Sequence, residues 1–275
     1  MVRIYYLPSY SRLRGVYYVL DANLGELVQS ELKPVRTLVQ LMDSHTSWVQ
    51  YQASRVLQKL ARDGESQLHP SKDILFISTA EKCQSEIIKA DGLNPLLRLL
   101  RGTDLGLTYL AVSFVCNLAA WPMNRPLIVE AGFLPPLVLA LKNGEIQLGV
   151  AKALGTLAAS TENNKLEIFN AGAVQSIKDL IMEAGAGVQI EMITCIRNLS
   201  CSGMSSPLNH VLKSDPPLDG LRGRMSEMGI NGVLVRLSTY SLHPEVKYES
   251  RAALRDLAKG RATNFWHSIR IRLAL

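Results

Sequence analysis

Aromatic side chains are scarce in this chain of 275 residues, where tyrosine, phenylalanine and tryptophan together make up 6%. Its core must therefore be mainly aliphatic, which suits small helices packed closely together. Period-two alternation long enough for a half-buried strand is missing, so no sheet is expected. The four cysteines (Cys83, Cys116, Cys195 and Cys201) form no CxxC pair. Cys116 and Cys195 fall inside apolar periodic runs, where a free thiol behaves as a small buried hydrophobe. The N-terminus carries no secretory signal, which points to a reducing, cytoplasmic setting. The histidines (His45, His69, His210, His243 and His267) are scattered, and none lies at i, i+4 from a second histidine or a cysteine. No metal site follows from such spacing. Nor is there a GxSxG elbow, a phosphate-cradling glycine loop or a GxGxxG turn after a strand. The expectation is a protein that is no enzyme and needs no cofactor.

Apolar residues make up 47% of the chain and charged residues 20%, enough for an ordered core. The formal charge is +6. Much of it gathers near the C-terminus, where Arg251, Arg255, Lys259, Arg261, Arg270 and Arg272 stand against one acid, Asp256. A basic end suits nucleic acid or an anionic surface. Without a basic-aromatic RNA motif or zinc-finger spacing, it reads rather as a solvated helix face. The uncharged run from Leu105 to Asn124 approaches the length of a membrane span. It holds Gly106, Asn117 and Pro122, and its pattern recurs elsewhere with charges interspersed, so a buried helix of an array is expected.

The array shows in a repeated glycine. Gly92, Gly132 and Gly172 lie 40 residues apart, and Gly229 continues the series at a wider spacing. Each precedes an aliphatic stretch: GLNPLLRLL, GFLPPLVLAL, GAVQSIKDLI and GINGVLVRL. About 25 residues after each glycine comes a second signature: AVSFVCNLA, VAKALGTLA, ITCIRNLS and RAALRDLA, with a degenerate copy earlier in QASRVLQKLA. Positions 111, 114, 115 and 118 share one helical face. Small residues alternate with large ones, letting neighbouring helices approach. The glycine lets the chain turn between two helices without a Cβ clash. One such unit cannot bury its apolar face alone, so copies must stack.

In these residues the chain resembles the armadillo repeat family, with its three-helix unit of forty-odd residues and its AL-x-N-L ending. The implied fold is all-α: an armadillo/HEAT-type right-handed α-solenoid of about five repeats within residues 31–260. The repeats fall near 31–61, 87–119, 128–158, 168–200 and 225–258. The runs IVEAGFLPPLV, LAASTENNKLEIFNAGAVQSIKDLI and VQIEMITCI are similar to the fungal vacuolar armadillo family. That resemblance implies a scaffold on the vacuole membrane, acting in vacuole inheritance, nucleus–vacuole contact and autophagy-related delivery. Members of that family begin with a myristoylation signal and nearby palmitoylated cysteines. Here the start reads Met1-Val2-Arg3 and the first cysteine is Cys83, so neither lipid is placed by motif. A membrane would be reached indirectly, through partners. The array is also shorter than the family's, which has roughly twice as many repeats.

Residues 1–30 match no repeat, and their tyrosines (Tyr5, Tyr6, Tyr10, Tyr17 and Tyr18) are expected in a capping segment. Residues 261–275 are expected to form a basic capping helix with Phe265, Ile269 and Leu273 in one stripe. Inserts near 62–82 and 203–224, rich in Gly, Pro, Ser and Asp, are expected as loops.

In the armadillo family the third helix of each repeat lines a groove for extended peptides. Carried over to this chain, the outward positions are Arg55 and Lys59, Ser113 and Asn117, Lys152 and Thr156, Thr194 and Asn198, and Ala252 and Asp256. An asparagine can donate to one peptide backbone group and accept from another, which singles out Asn117 and Asn198. The same two are also suited to bridging neighbouring helices. Arg55, Lys59 and Lys152 favour acidic or phosphorylated segments. The partners implied are proteins of membrane contact, inheritance or autophagy. Nuclear import adaptors share the architecture but pair tryptophan with the asparagine, where this chain has Ser113 and Thr194, and their basic cargo would be repelled by a basic groove. Nucleic acid bound through the C-terminal arginines is the remaining alternative.

Overall fold

Helix is the only regular structure among the described residues of the computed structural model, which are 34–62, 83–201 and 216–259. The N-terminal capping segment, most of the first insert (63–82) and the C-terminal stripe with Arg261, Arg270 and Arg272 lie outside them. The chain divides into two compact units, at Phe133 and Leu134.

The N-terminal unit holds α1 (Pro34–Leu41), α2 (Ser47–Arg62), a helical stretch at 83–89, α3 (Leu93–Arg101), α4 (Leu105–Ala120) and α5 (Asn124–Glu130). The uncharged run is α4, which starts where the Asp104 side chain accepts a hydrogen bond from the Leu107 amide at 3.0 Å. Ala111, Phe114, Val115 and Leu118 are all buried, as their shared face requires. α4 packs on α2, α3 and α5, and α2 also packs on α1. No described helix is long and apolar enough to cross a membrane.

The C-terminal unit holds α6 (Leu134–Ala140), α7 (Gln147–Ala158), α8 (Glu162–Asn170), α9 (Ala173–Leu180), α10 (Ala186–Ser200), α11 (Pro216–Glu227), α12 (Ile230–Tyr240) and α13 (Pro244–Ala258). Like packs on like: α11 on α8, α12 on α9, and α7, α10 and α13 in succession. Arg224 of α11 lies over the Phe169 ring of α8, 4.3 Å from its centroid. The second insert is not a loop throughout, because α11 begins at Pro216. A proline is tolerated in the first turn, where its missing N–H would have no helical partner. Leu221 and Met225, four residues apart, are buried on one face of α11.

The turn before each second helix uses a left-handed residue. Gly132, Gly172 and Gly229 have φ of 84°, 84° and 83°, where a side chain would be strained. In the Asp91-Gly92 turn the work is divided. Asp91 takes the left-handed conformation at φ 62°, while a Cβ on Gly92 would stand 2.7 Å from Ile87 Cγ2 and 2.8 Å from the Ile87 carbonyl oxygen. Gly92 is therefore there for close approach rather than for its dihedral.

The last carbonyls of a third helix have no partner within the helix. Side chains of first helices supply donors for them. Gln84 donates to the Ala61 carbonyl (2.8 Å), Asn124 to that of Leu118 (3.0 Å), and Arg222 to that of Ser200 (2.7 Å). Lys165, buried, donates to the Cys201 carbonyl and pairs with Glu162 at 3.3 Å. At the other end of the third helices, Gln147 and Gln189 reach back to the Leu141 and Ile181 carbonyls, each at 2.9 Å.

Candidate peptide-binding faces of the third helices

Helical spacing puts the expected ladder positions of each third helix one turn apart on one face. In the N-terminal unit, α2 presents Arg55 exposed and Lys59 half-buried, and α4 presents Ser113 and Asn117, both half-buried. Ser113 accepts a 2.5 Å hydrogen bond from Gln58 Nε2. Asn117 Nδ2 points to the Gln58 carbonyl across a long 3.4 Å. Cys116 is only half-buried, against the expectation of a core thiol. It falls beside Asn117, on the edge of the open face. The charged side chains of α2 are Arg55, Lys59 and Arg62, and α4 carries none.

In the C-terminal unit, Lys152 is exposed, and Thr156 and Thr194 are half-buried. Thr156 Oγ1 donates to the Lys152 carbonyl within α7, at 2.9 Å. Asn198 Nδ2 donates to the Gly155 carbonyl at 2.8 Å. This is the same register as Asn117 to Gln58, since Gly155 and Gln58 each precede the signature's polar position. Both asparagines thus tie their helix to the preceding third helix. Each still has its Oδ1 and a second N–H for a ligand.

The fifth rung does not face outward. Ala252 and Asp256 are buried, at 5% and 6% exposure. Asp256 accepts from Arg197 Nε at 3.2 Å and from Lys259 Nζ at 2.6 Å, and Arg197 Nη1 reaches Glu249 at 2.6 Å. Burial works to raise the Asp256 carboxyl. The hydrogen bonds and charges of Lys259 and Arg197 outweigh it and hold the group below the ordinary carboxylate value. Burial alone pushes the Cys195 thiol up to about 12, so it stays protonated and inert. The C-terminal faces are not basic throughout, because Glu191, Glu245 and Glu249 accompany Lys152.

One outward position of the third helices was not foreseen. Eight residues before the signature position stand Tyr51, Tyr109, Leu148 and Tyr248, exposed by 37%, 60%, 51% and 64%. Ile190 holds the corresponding place on α10 and is half-buried. The signal was present: counting one more turn back from Arg55, Ser113, Lys152 and Ala252 lands on these apolar residues, where a solvated face would be polar. Among the described residues, no group of His, Cys, Asp or Glu is placed to hold a metal ion.

No family model matches the chain. Among curated proteins it is similar to Vacuolar protein 8 of Schizosaccharomyces pombe, 37% identical over 235 residues, covering 84% of this chain and 36% of that protein. Vacuolar protein 8 of Candida albicans is 34% identical over 235 residues (84% of this chain, 34% of that protein). That of Saccharomyces cerevisiae is 34% identical over 185 residues (66% and 29%). The chain thus spans about a third of the length of the curated relatives it matches. Among solved structures, a designed armadillo repeat protein superposes with a TM-score of 0.68 at 22% identity, covering 90% of this chain and 92% of that one. Another, in complex with peptide (KR)4, gives 0.70 at 21% identity with the same coverage. At such identity the likeness shows the fold, an α-solenoid of armadillo repeats.

Proposed function

The chain is an armadillo-repeat protein similar to part of Vacuolar protein 8, and on that premise we propose that it is a non-enzymatic scaffold whose third helices hold extended segments of partner proteins. The observation that carries this reading is the open face of the third helices in each unit. In each unit an asparagine keeps backbone-pairing groups, and exposed aromatic or aliphatic residues stand on the same side of the third helices. An extended peptide needs both: polar groups for its main chain and apolar surface for its side chains. The designed armadillo protein in complex with peptide (KR)4 shows that this fold accommodates a peptide.

In the N-terminal unit the cationic face of α2 and α4 suits acidic or phosphorylated segments, which pair with Arg55 and Lys59. The relatives' name supports a place at the vacuole, and the roles we propose there are inheritance, nucleus–vacuole contact or autophagy-related delivery. The test is affinity capture with mass spectrometry on three forms: wild type, Arg55→Glu with Lys59→Glu, and Asn117→Ala with Asn198→Ala. The charge reversal is expected to lose acidic and phosphorylated partners by at least about tenfold. The asparagine pair is expected to weaken all groove partners. Thermal unfolding of each form separates lost binding from lost structure. Capture that is unchanged in both variants, with the fold intact, would sink the groove reading.

A further inference from the structure

We propose that the pocket between the N-terminal halves of α10 and α13 receives an arginine side chain of an extended partner segment. The proposal rests on the groove reading and sharpens it at one position. The pocket encloses about 380 Å³ and is lined by Ile190 of α10 and by Pro244, Glu245, Tyr248 and Glu249 of α13. Glu245, Tyr248 and Glu249 share one face of α13 through their i, i+3 and i, i+4 spacing.

The molecule already seats one guanidinium at the next level of the same interface. Arg197 of α10 reaches Glu249 at 2.6 Å and Asp256 at 3.2 Å. Two turns earlier on α10 stands Ile190, so that helix brings no cation to the level of Glu245. Glu245 is exposed and makes no hydrogen bond or ion pair among the described residues. Of the other cations on α13, Lys247 does not line the pocket, and Arg251 turns away to the Ser238 carbonyl of α12. The seat therefore has a carboxylate, an exposed ring and an aliphatic wall, with no counter-charge of its own.

That combination selects arginine. The aliphatic stem would lie against Ile190 and Pro244. The flat guanidinium would stack on the Tyr248 ring while its edge donates to Glu245 and to Glu249. Lysine offers the charge without the plane. A segment seated here continues along α10 past Thr194 to Asn198, whose open Oδ1 and N–H meet its main chain. In this unit the partner segment is thus basic at one defined point, in contrast to the acidic segment suited to the N-terminal face.

An array of immobilised nine-residue peptides of defined sequence, probed with the full chain, tests the assignment. Arginine should be enriched at one position of the bound peptides. Replacing that arginine by citrulline, which keeps the shape and removes the charge, should weaken binding about tenfold. Glu245→Gln and Tyr248→Ala should erase the preference, and Tyr248→Phe should keep it. Circular dichroism of each variant confirms the fold. Bound peptides without an arginine preference, or a preference unchanged by Glu245→Gln and Tyr248→Ala, overturn the pocket and leave the groove standing. If no peptide binds the wild type at all, the groove reading falls together with the pocket.

Discussion

The stack of α2 and α4 and the stack of α7, α10 and α13 follow one pattern but are held together differently. In the N-terminal stack, the position three before the signature's polar residue holds Val56 on α2 and Phe114 on α4, both buried. The matching positions in the C-terminal stack hold Ala153, Cys195 and Ala253. Directly before the polar position α7 has Gly155, where α2 has Gln58, and a Cβ on that glycine would sit 3.6 Å from the Cys195 amide nitrogen. Across that seam Asn198 makes a 2.8 Å bond to the Gly155 carbonyl, where Asn117 makes one of 3.4 Å to that of Gln58. Electrostatics diverge too. The charged residues on the helices of the first stack are all cations, and the second pairs Arg197 and Lys259 with Glu249 and Asp256. A large residue at one register thus shifts cohesion toward packing, and small residues shift it toward polar ties.

Four measurements break or sharpen that contrast. The largest effect is expected for Phe114→Ala, which leaves a cavity in the packing-dominated stack and should lower stability in urea by about 3–5 kcal/mol. A loss near zero would mean that α4 is not held by its core. Next comes Arg197→Met, which removes two charge-assisted bonds from a third-exposed guanidinium and should cost about 2 kcal/mol near neutral pH. Because the Asp256 carboxyl is held below its ordinary value, its stabilisation is present above that value and lost as pH falls through the native one. The gap between wild type and Arg197→Met should therefore narrow in acid, and a gap independent of pH would contradict the ion-pair account. Third, Asn198→Ala should cost about 1 kcal/mol and Asn117→Ala only a few tenths, following their bond lengths. Equal losses would erase the distinction between the stacks. The smallest effect is shared by both units. Ser54 and Ser250 are buried with hydroxyls that find no partner among the described residues, so Ser54→Ala and Ser250→Ala should each raise stability by about 0.5 kcal/mol or be neutral.

The helical periodicity and the repeated signature were enough to reach the all-α solenoid, because both are local patterns in the chain. Which sides of α2, α4, α7 and α10 stay partly open was also legible, since it follows from counting turns around Asn117 and Asn198. The inward turn of Asp256 was not: its partner Arg197 belongs to the signature's own surroundings, but lies 59 residues away. No local pattern announces a pairing at that separation. α11 was hidden for another reason. Pro216, Pro217, Gly220 and Gly223 give it the composition of a loop, and only burial of Leu221 and Met225 makes it a helix. Asp91 shows a smaller limit of the same kind. The repeated glycine suggested that Gly92 supplies the left-handed turn, yet the neighbouring aspartate adopts it.

The first-helix side chains that reach the ends of third helices also bear on where a shortened derivative is best cut. Gln84, Asn124 and Arg222 each belong to the segment after the helix they finish. Ending a derivative directly behind α4 or α10 would strip the final turn of its donors, at about 1 kcal/mol for each bond lost. Ending it behind α5 or α11 retains the donor together with the helix it completes. The natural module for recombining this array is therefore offset from the repeat as the signature defines it: it starts at a second helix and closes with the first helix that follows.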